Sequence, residues 1–358
     1  LAGDMPPDIY YLGKTLGVTD GTGNEERFSF TTTLAPEMNW MNSPTDINKG
    51  FSGNYFRFFM NSGLVWDNVI EMLNYGNGIA FHDVSAIDVN NQSEIYTHYC
   101  ISQDSIKKKL SNRGCKTLAE PNGNINYYYA ALNYNPIKIM TGQNNAQERL
   151  FPFSVNTDLK KSFFKRYFFE PDIVKAEILA ENQKPKEQRE AIHIGVHGTG
   201  REWSEFLLWL NNNYGKDGDN SVWMPSLEEY YEYNYYRIHS VITKTIINGN
   251  TIKLSVQLPS DEYFYYPSIT LNLKGITKSQ IISIKTNDAI KGMSFGDYSE
   301  GLMVNIDCRK FLVQHATNYV ERYEQNKTSS NRLDAIYFVN KLKDSQQKTN
   351  LLSRINSR

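Results

Sequence analysis

The stretch Gly76-Asn77-Gly78-Ile79-Ala80-Phe81-His82-Asp83-Val84-Ser85 decides the predicted fold. It follows Val65–Leu73, where apolar residues recur at the spacing of a helix with one buried face. Its first glycine suits the left-handed residue that ends a helix, and its central apolar run is long enough for a buried strand. His82 and Asp83 then follow that strand. A helix, a glycine turn, a buried strand and polar residues in this order predict one unit of an α/β barrel, whose chemistry lies at the carboxyl ends of the strands.

The composition sets limits on the function. The chain has 358 residues, 40% of them hydrophobic and 22% charged, which is an ordinary globular balance with enough length for two domains. A net charge of -1 favours neither nucleic acid nor an anionic membrane as a partner. No run approaches the roughly 18 apolar residues of a transmembrane helix. Leu1–Pro7 lacks the basic and apolar regions of a signal peptide; we interpret it as the trimmed start of an exported protein, so we expect a secreted, periplasmic or cell-surface location.

The rest of the chain predicts three segments. Strands and helices alternate between Phe28 and Tyr231, whereas from about Ile238 short strands separated by turn residues predict a small β-sandwich. We therefore expect an N-terminal hairpin segment over residues 1–25, an irregular α/β barrel over residues 26–237, and a C-terminal β-sandwich with two helices over residues 238–358. The tyrosine-rich run Tyr263–Tyr266 is expected to pack against the barrel.

The barrel region resembles the polysaccharide deacetylase family. Tyr75–Ile79 takes the place of that family's Gly-His-Glu-Ile-type turn, and His82 takes the place of its first metal-binding histidine. The late strand Ala191–Val196 leads to His197 as the family's last strand leads to its late histidine. The resemblance covers roughly residues 26–236. It implies a barrel of about seven strands, a carbohydrate substrate and a divalent metal, such as zinc, held by one aspartate and two histidines.

Three motifs depart from the family pattern. The second metal histidine would fall on Ala86, and in the simplest register Thr31 and Thr32 stand where the family has its catalytic and metal-binding aspartates. Ala119 stands where the family has an arginine. The implied metal triad is therefore incomplete, and His82 with Asp83 are the remaining candidate ligands.

The candidate site residues are polar or aromatic side chains that the predicted strands place near their carboxyl ends. A histidine oriented by a carboxylate acts as a general base without a metal, and aromatic faces pack on sugar rings. The candidate catalytic residues are Glu37, His82, Asp83, Glu120 and His197, and the candidate substrate-binding residues are Trp40, Asn122, Tyr127 and Tyr128.

Three functions are compatible with this set. The first is a deacetylase-like hydrolase acting on an acetylated or amino-sugar glycan. The second is a pseudoenzyme that binds carbohydrate without cleaving it, suggested by the three departures together. The third is a metal-independent glycosidase, in which Glu37 pairs with Glu120 or Asp83, since glycosidases use two carboxyl groups. All three have a carbohydrate as partner, and the sequence specifies neither the glycan nor the oligomeric state.

Overall fold

The computed structural model of the protein describes residues 14–34, 66–82, 89–146, 158–196 and 201–357. Its strands are β1 (Gly17–Thr19), β2 (Glu25–Arg27), β3 (Thr31–Leu34), β4 (Gly78–Phe81), β5 (Thr117–Ala119), β6 (Ile139–Gly142), β7 (Ser162–Lys165), β8 (Val241–Asn248), β9 (Thr251–Gln257), β10 (Ser268–Lys274), β11 (Gly292–Tyr298) and β12 (Gly301–Asp307). Its α-helices are α1 (Trp66–Asn74), α2 (Gln92–Lys109), α3 (Ile125–Asn133), α4 (Pro171–Gln183), α5 (Arg201–Tyr214), α6 (Leu227–His239), α7 (Leu312–Gln325), α8 (Ser329–Asn340) and α9 (Gln346–Asn356). None of these helices is both long and apolar enough to cross a lipid bilayer.

A parallel sheet organises the first half of the chain. Strands β3 to β7 lie side by side in chain order, and each pairs parallel with the next. A further parallel bridge joins Tyr167 to Ile194, so the late segment 191–196 continues the sheet beyond β7. The predicted α/β class, with helices between parallel strands, is confirmed. The closure of this sheet into a barrel stays a prediction.

The turn before β4 has glycine at two positions for two different reasons. One glycine adopts a left-handed backbone conformation, and the other lies close to a neighbouring helix. Gly76 follows α1 with φ 92°, the left-handed region predicted for the helix end. Gly78 begins β4, where an added Cβ would lie 3.1 Å from Glu228 Oε2. The strand that follows is fully buried, as its apolar run predicted. Any side chain at Gly78 would therefore push on α6.

Apolar layers cover both faces of the sheet. On one face, Phe81, Leu118 and Met140 pack with side chains of α1, α2 and α3. On the other face, Ile139 and Phe164 pack against the first two turns of α6. A strand buried on both faces reads as a continuous apolar run rather than an alternating one, as β4 does.

The sequence pattern predicts a connector at residues 95–101, followed by a helix from Gln103 to Asn112 that Ser102 caps. The predicted connector is wrong. That stretch lies inside α2, which begins eleven residues before the predicted helix start and runs from Gln92 to Lys109. The Asn91 side chain accepts hydrogen bonds from Ser93 N and Glu94 N, so it is the N-cap. Ser102, the predicted cap, is buried in mid-helix.

The chain after α6 forms two antiparallel sheets, β8–β9 and β10–β12–β11. Leu254 and Val256 of β9 pack on the apolar cluster formed by β10 and β12. The predicted change to short antiparallel strands is thus confirmed, while their assembly as a β-sandwich domain stays a prediction. The segment 281–286, predicted as a strand, is irregular, and Ile282 is 99% exposed.

The last three helices pack together and against the first half of the chain. Tyr75, next to the glycine turn, lies 5.6 Å from the Tyr319 ring and 5.7 Å from the Phe338 ring, measured between centroids. Two of the three helices were predicted. The third, α9, replaces a predicted frayed tail because Leu351 and Ile355 are buried in the same cluster.

A buried ion network lies at the amino-terminal end of the sheet, between α6 and the later loop 263–266. Lys116 Nζ, just before β5, lies 3.0 Å from Glu228 Oε1 and 2.6 Å from Glu232 Oε1. Arg113 NH2 donates to Glu228 Oε2 at 3.0 Å. The Glu232 carboxylate also accepts from the backbone N–H groups of Tyr265 and Tyr266. The tyrosine-rich loop therefore packs against the parallel-sheet region, as predicted.

Candidate functional site

His82 stands at the carboxyl end of β4. Its backbone N–H donates to Leu34 O of the neighbouring strand at 3.3 Å. Its ring Nδ1 lies 2.8 Å from Ala119 O at the end of β5. Because a carbonyl only accepts, Nδ1 carries the proton in the neutral ring and Nε2 is the acceptor nitrogen. The backbone thus fixes the tautomer that a general base or a metal ligand needs.

Arg166 is a site residue that the sequence reasoning missed. It directly follows β7 and is 7% exposed. Its NH1 donates to Thr141 Oγ1 at 3.1 Å and its NH2 donates to Glu120 O at 2.8 Å. Gly195 makes room for it, since a Cβ there would lie 2.7 Å from Arg166 Cδ. The guanidinium therefore joins the carboxyl ends of β5, β6 and β7 with the late segment.

The Arg166 guanidinium is a cation held by neutral partners. Burial lowers its pKa to about 10, although the nearby Glu120 charge opposes that shift. The family resemblance implies an arginine at the position of Ala119 on β5. Arg166 instead follows β7, two strands further along, and donates a hydrogen bond to the carbonyl of Glu120, the residue after Ala119. A signal existed in the sequence, because Arg166 closely follows the apolar pair Phe163-Phe164 at the end of a short strand, where the functional residues of parallel sheets usually stand.

Glu120 follows β5 and is completely buried. Its Oε2 accepts from Gln143 N at 3.3 Å. Its Oε1 has no hydrogen-bond partner among the residues that the structure describes. Burial raises the pKa of the Glu120 carboxyl, so its protonated form is favoured relative to an exposed glutamate. A carboxyl group whose pKa is raised by burial is suited to donating a proton as a general acid.

His193, interpreted from the sequence as structural, also faces this end of the sheet. Burial lowers its pKa to about 3, and the positive charge of Arg166 lowers it further. His193 is therefore neutral near neutral pH and offers one N–H donor and one acceptor nitrogen. Its carbonyl accepts from Tyr167 N at 3.0 Å, which fixes the late segment against β7.

The other predicted site residues fall in different places. Asn122 is exposed in the turn after β5, with φ 53°. Tyr128 is half-buried and stacks on Phe163 at 4.4 Å between centroids. Tyr127 is 4% exposed and belongs to the core beside Tyr99, so its ring fills the helix layer rather than a cleft. Four predicted residues lie outside the described part of the chain: Glu37, Trp40, Asp83 and His197.

The register of β3 corrects the comparison with the family's aspartates. Thr31 pairs with Gly78 at the amino-terminal end of the sheet, and its Oγ1 accepts from Leu227 N at 2.8 Å. Thr32 pairs with Ile79. His82, by contrast, is level with the residue after Leu34. Thr31 and Thr32 therefore do not lie beside His82. The residues after Leu34 are Ala35, Pro36 and Glu37, so the family's two aspartates are absent in this register as well.

The hydrogen bond made by the His82 ring is compatible with a metal ion bound at its other nitrogen. A ligating histidine usually donates its second ring nitrogen to a carbonyl or carboxylate, and His82 Nδ1 makes such a contact with Ala119 O. Among the described residues, no group of three histidine, cysteine, aspartate or glutamate side chains is placed to hold a metal. The predicted partner Asp83 lies outside those residues.

The geometry agrees with what comparison with known proteins shows. A family model described as "putative polysaccharide deacetylase" matches residues 1–356, nearly the whole chain. No curated protein matches the sequence. The sequence resemblance covered roughly residues 26–236. The family match also includes the hairpin, the antiparallel sheets and the final helices. The chain belongs to the family described as "putative polysaccharide deacetylase".

Proposed function

We propose that this protein is an exported hydrolase that removes acetyl groups from an acetylated or amino-sugar glycan, with His82 at the centre of its site. The observation that carries the proposal is the contact between His82 Nδ1 and Ala119 O at the carboxyl ends of β4 and β5. It holds Nε2 as a nitrogen that accepts a proton or binds a metal. Family membership supplies the substrate class, a carbohydrate.

The neighbouring residues have complementary roles in this proposal. An acetyl carbonyl under attack develops negative charge on its oxygen, which a positioned cation stabilises. Arg166 supplies a cation whose guanidinium is fixed by Thr141 and by the Glu120 carbonyl. Its burial strengthens any interaction with such a charge, because little water screens it. The leaving amine or alcohol needs a proton, which Glu120 or His82 can supply.

A divalent metal held at His82 would supply a bound water whose pKa is lowered towards neutrality. His82 Nε2 would be one ligand, and Asp83 is the second candidate by sequence. Three protein ligands are usual for a catalytic zinc. The role of the protein's own residues, which orient the histidine ring and bind the acyl group, is the same with or without the ion.

The test is acetate release from a panel of acetylated glycans, with and without added zinc or cobalt. We expect the wild-type protein to release acetate and His82→Ala to lose at least about 100-fold of that rate, a typical effect of removing a general base. Tyr129→Ala is the matched control, because Tyr129 is an exposed residue of α3. No release by the wild type on the whole panel, or unchanged release by His82→Ala, would contradict the proposal.

Glycoside cleavage is the second candidate function, and the properties of Glu120 favour it. Its buried carboxyl with a raised pKa has the character of a glycosidase general acid. The second carboxyl group would be Glu37 or Asp83. New reducing ends without free acetate would support this reading, and their loss in Glu120→Gln would assign the acid.

The same assay tests the pseudoenzyme alternative. A glycan that binds by calorimetry with neither acetate nor new reducing ends would support it. The three departures from the family pattern, which are the missing aspartates after β3, Ala86 and Ala119, motivate this reading, but Arg166 places a guanidinium near Ala119. The proposed export is tested by fractionating producing cells and finding the protein outside the cytoplasm.

A further inference from the structure

The two-stranded hairpin formed by β8 and β9 exposes apolar side chains to solvent. All eight residues of β8 are exposed. Four of them are valine or isoleucine, and their exposed fractions lie between 51% and 66%: Val241, Ile242, Ile246 and Ile247. Single exposed apolar side chains are common on protein surfaces, whereas a contiguous apolar patch marks an interaction site. The hairpin is therefore a candidate binding surface.

The neighbouring antiparallel sheet covers only part of one hairpin face. Leu254 and Val256 of β9 pack on the apolar cluster formed by β10 and β12. Because alternate residues of a strand share a face, Ile252 lies on the same face. Residues directly opposite each other on paired strands also share a face, and Ile246 lies opposite Ile252. These two side chains, next to the turn, are 66% and 42% exposed. The apolar face of the hairpin is thus longer than the cluster that covers it.

The backbone of β8 also has a free edge. Among the described strands, β8 pairs only with β9, so its outer N–H and C=O groups face no strand in that part of the chain. An edge of this kind is a template for pairing with a strand of another chain. Natural edge strands are often blocked by proline or by charged side chains. Strand β8 has no proline, and Lys244 is its only charged residue. The hairpin therefore fits an added strand.

The sequence of β8 indicates which strand is added, because its pattern is the same in both directions. Two apolar residues and a threonine precede Lys244, and a threonine and two apolar residues follow it. In an antiparallel pair of two copies with the two-fold axis at Lys244, Ile242 lies opposite Ile246 of the second copy. In the same register, Thr243 lies opposite Thr245 of the second copy. Apolar pairs and threonine pairs directly across a sheet stabilise it, so β8 is complementary to itself.

Other occupants suit the hairpin less well. In a lipid bilayer the outer backbone groups of β8 would be left without hydrogen-bond partners, and the turn at the tip, Asn248-Gly249-Asn250, is polar. A strand of a different protein would satisfy the edge, but it would not require a symmetric pattern about Lys244. A two-fold interface uses the same patch on both copies. The symmetric pattern therefore favours a second copy of this chain.

We infer that two copies of this chain associate through β8, forming a four-stranded antiparallel sheet with its two-fold axis at Lys244. The inference is independent of the proposed function. Two strands of about 27 Å each, with their exposed isoleucines, would bury on the order of 1,000 Å² in total, the lower limit for a specific interface. The two Lys244 side chains lie opposite each other and repel. Both features predict a weak dimer, with a dissociation constant in the micromolar range.

The first test is analytical ultracentrifugation of the full chain over a wide range of protein concentration. We expect a reversible equilibrium between monomer and dimer. Ile246→Lys places a charge opposite Ile242 of the second copy, so it should raise the dissociation constant at least about tenfold. Ile282→Lys is the matched control and should leave the constant unchanged, because Ile282 is an isoleucine that is 99% exposed outside the hairpin.

The second test changes the charge at the two-fold axis. Lys244→Glu by itself should dimerise as weakly as the wild type, since like charges still lie opposite each other. An equimolar mixture of Lys244→Glu and wild type should form mixed dimers at least about threefold more tightly than either protein pairs with itself. High salt should reduce this gain. Lys253→Glu is the matched control, because Lys253 is an exposed residue of β9, and its mixture with wild type should show no such preference.

Three results would overturn the inference: a monomer at every concentration, a dimer that Ile246→Lys leaves intact, or a Lys244→Glu mixture without preference for mixed dimers. Circular dichroism shows whether Ile246→Lys folds, and the charge-swap mixture decides the question if it does not. Flotation with phosphatidylserine vesicles tests the membrane alternative. Vesicle binding by a monomeric wild type that is lost in Ile246→Lys would assign the hairpin to a lipid surface instead.

Discussion

The two ends of the parallel sheet use buried charges in opposite ways. At the amino-terminal end, Lys116 is fully buried between two fully buried carboxylates, Glu228 and Glu232. At the carboxyl end, the buried Arg166 contacts a hydroxyl and a carbonyl, and the buried Glu120 has one oxygen without a partner among the described residues. The first end satisfies its charges with opposite charges, whereas the second leaves capacity for a ligand.

The pKa shifts follow this division at Glu228, whereas burial raises the pKa of Glu232 at the same end despite the opposing charge of Lys116. The cations Lys116 and Arg113 lower the pKa of Glu228 despite the opposing effect of its burial, so it stays ionised. Burial instead raises the pKa of Glu120 and lowers those of Arg166 and His193. Groups shifted towards neutrality are typical of functional sites, and in barrel folds stability residues gather at the opposite end.

The largest expected effect comes from breaking the amino-terminal network. Lys116→Met leaves two buried carboxylates without their shared cation, which should lower the free energy of unfolding by about 3–5 kcal/mol. Urea unfolding measures this. Lys274→Met, which removes an exposed ion pair with Glu300, should leave the unfolding midpoint unchanged. If Lys116→Met lowered the free energy of unfolding only slightly, the amino-terminal network would not stabilise the fold.

Arg166→Met should affect function more than folding. The variant keeps the side chain's apolar stem but removes the cation, so we expect acetate release to fall about 100-fold, the effect of losing a charge-stabilising donor. Unfolding free energy should fall by only about 1–2 kcal/mol, for two lost hydrogen bonds. Arg166→Lys should recover part of the activity. If Arg166→Met were strongly destabilised but still released acetate at the wild-type rate, both ends of the sheet would have a structural role. The contrast between the two ends would then be wrong.

The smallest expected effect is a pH dependence at the carboxyl end. The folded pKa of His193, about 3, is below its unfolded value of 6.5, so between them the unfolded chain binds more protons. The stability contribution of neutral His193 is therefore complete above pH 6.5 and is lost as the pH falls towards 3. Between neutral pH and pH 5, the wild type should lose about 2 kcal/mol more than His193→Gln. Parallel urea-unfolding curves for the two proteins at both pH values would contradict this.

Local sequence patterns determined most of the secondary structure in the parallel-sheet region. The glycine turn, the buried strand after it and the placement of His82 at its end were all predictable, because helix period, apolar runs and glycine conformation act over a few residues. The family resemblance followed from the same stretch. Where local signals misled, tertiary burial decided: α9 is held by Leu351 and Ile355 in a cluster formed by three helices.

The tertiary structure alone decided which residues meet at the site. His82 reaches a carbonyl 37 residues away, and Arg166 reaches one 46 residues away. The register of β3 removed Thr31 and Thr32 from the site, although their sequence position had suggested an aspartate replacement. Pairing between strands is fixed by packing of whole faces and not by the residues nearby in the chain. The sequence by itself therefore determined the elements and the family, whereas the pairing of strand ends determined the constellation around His82.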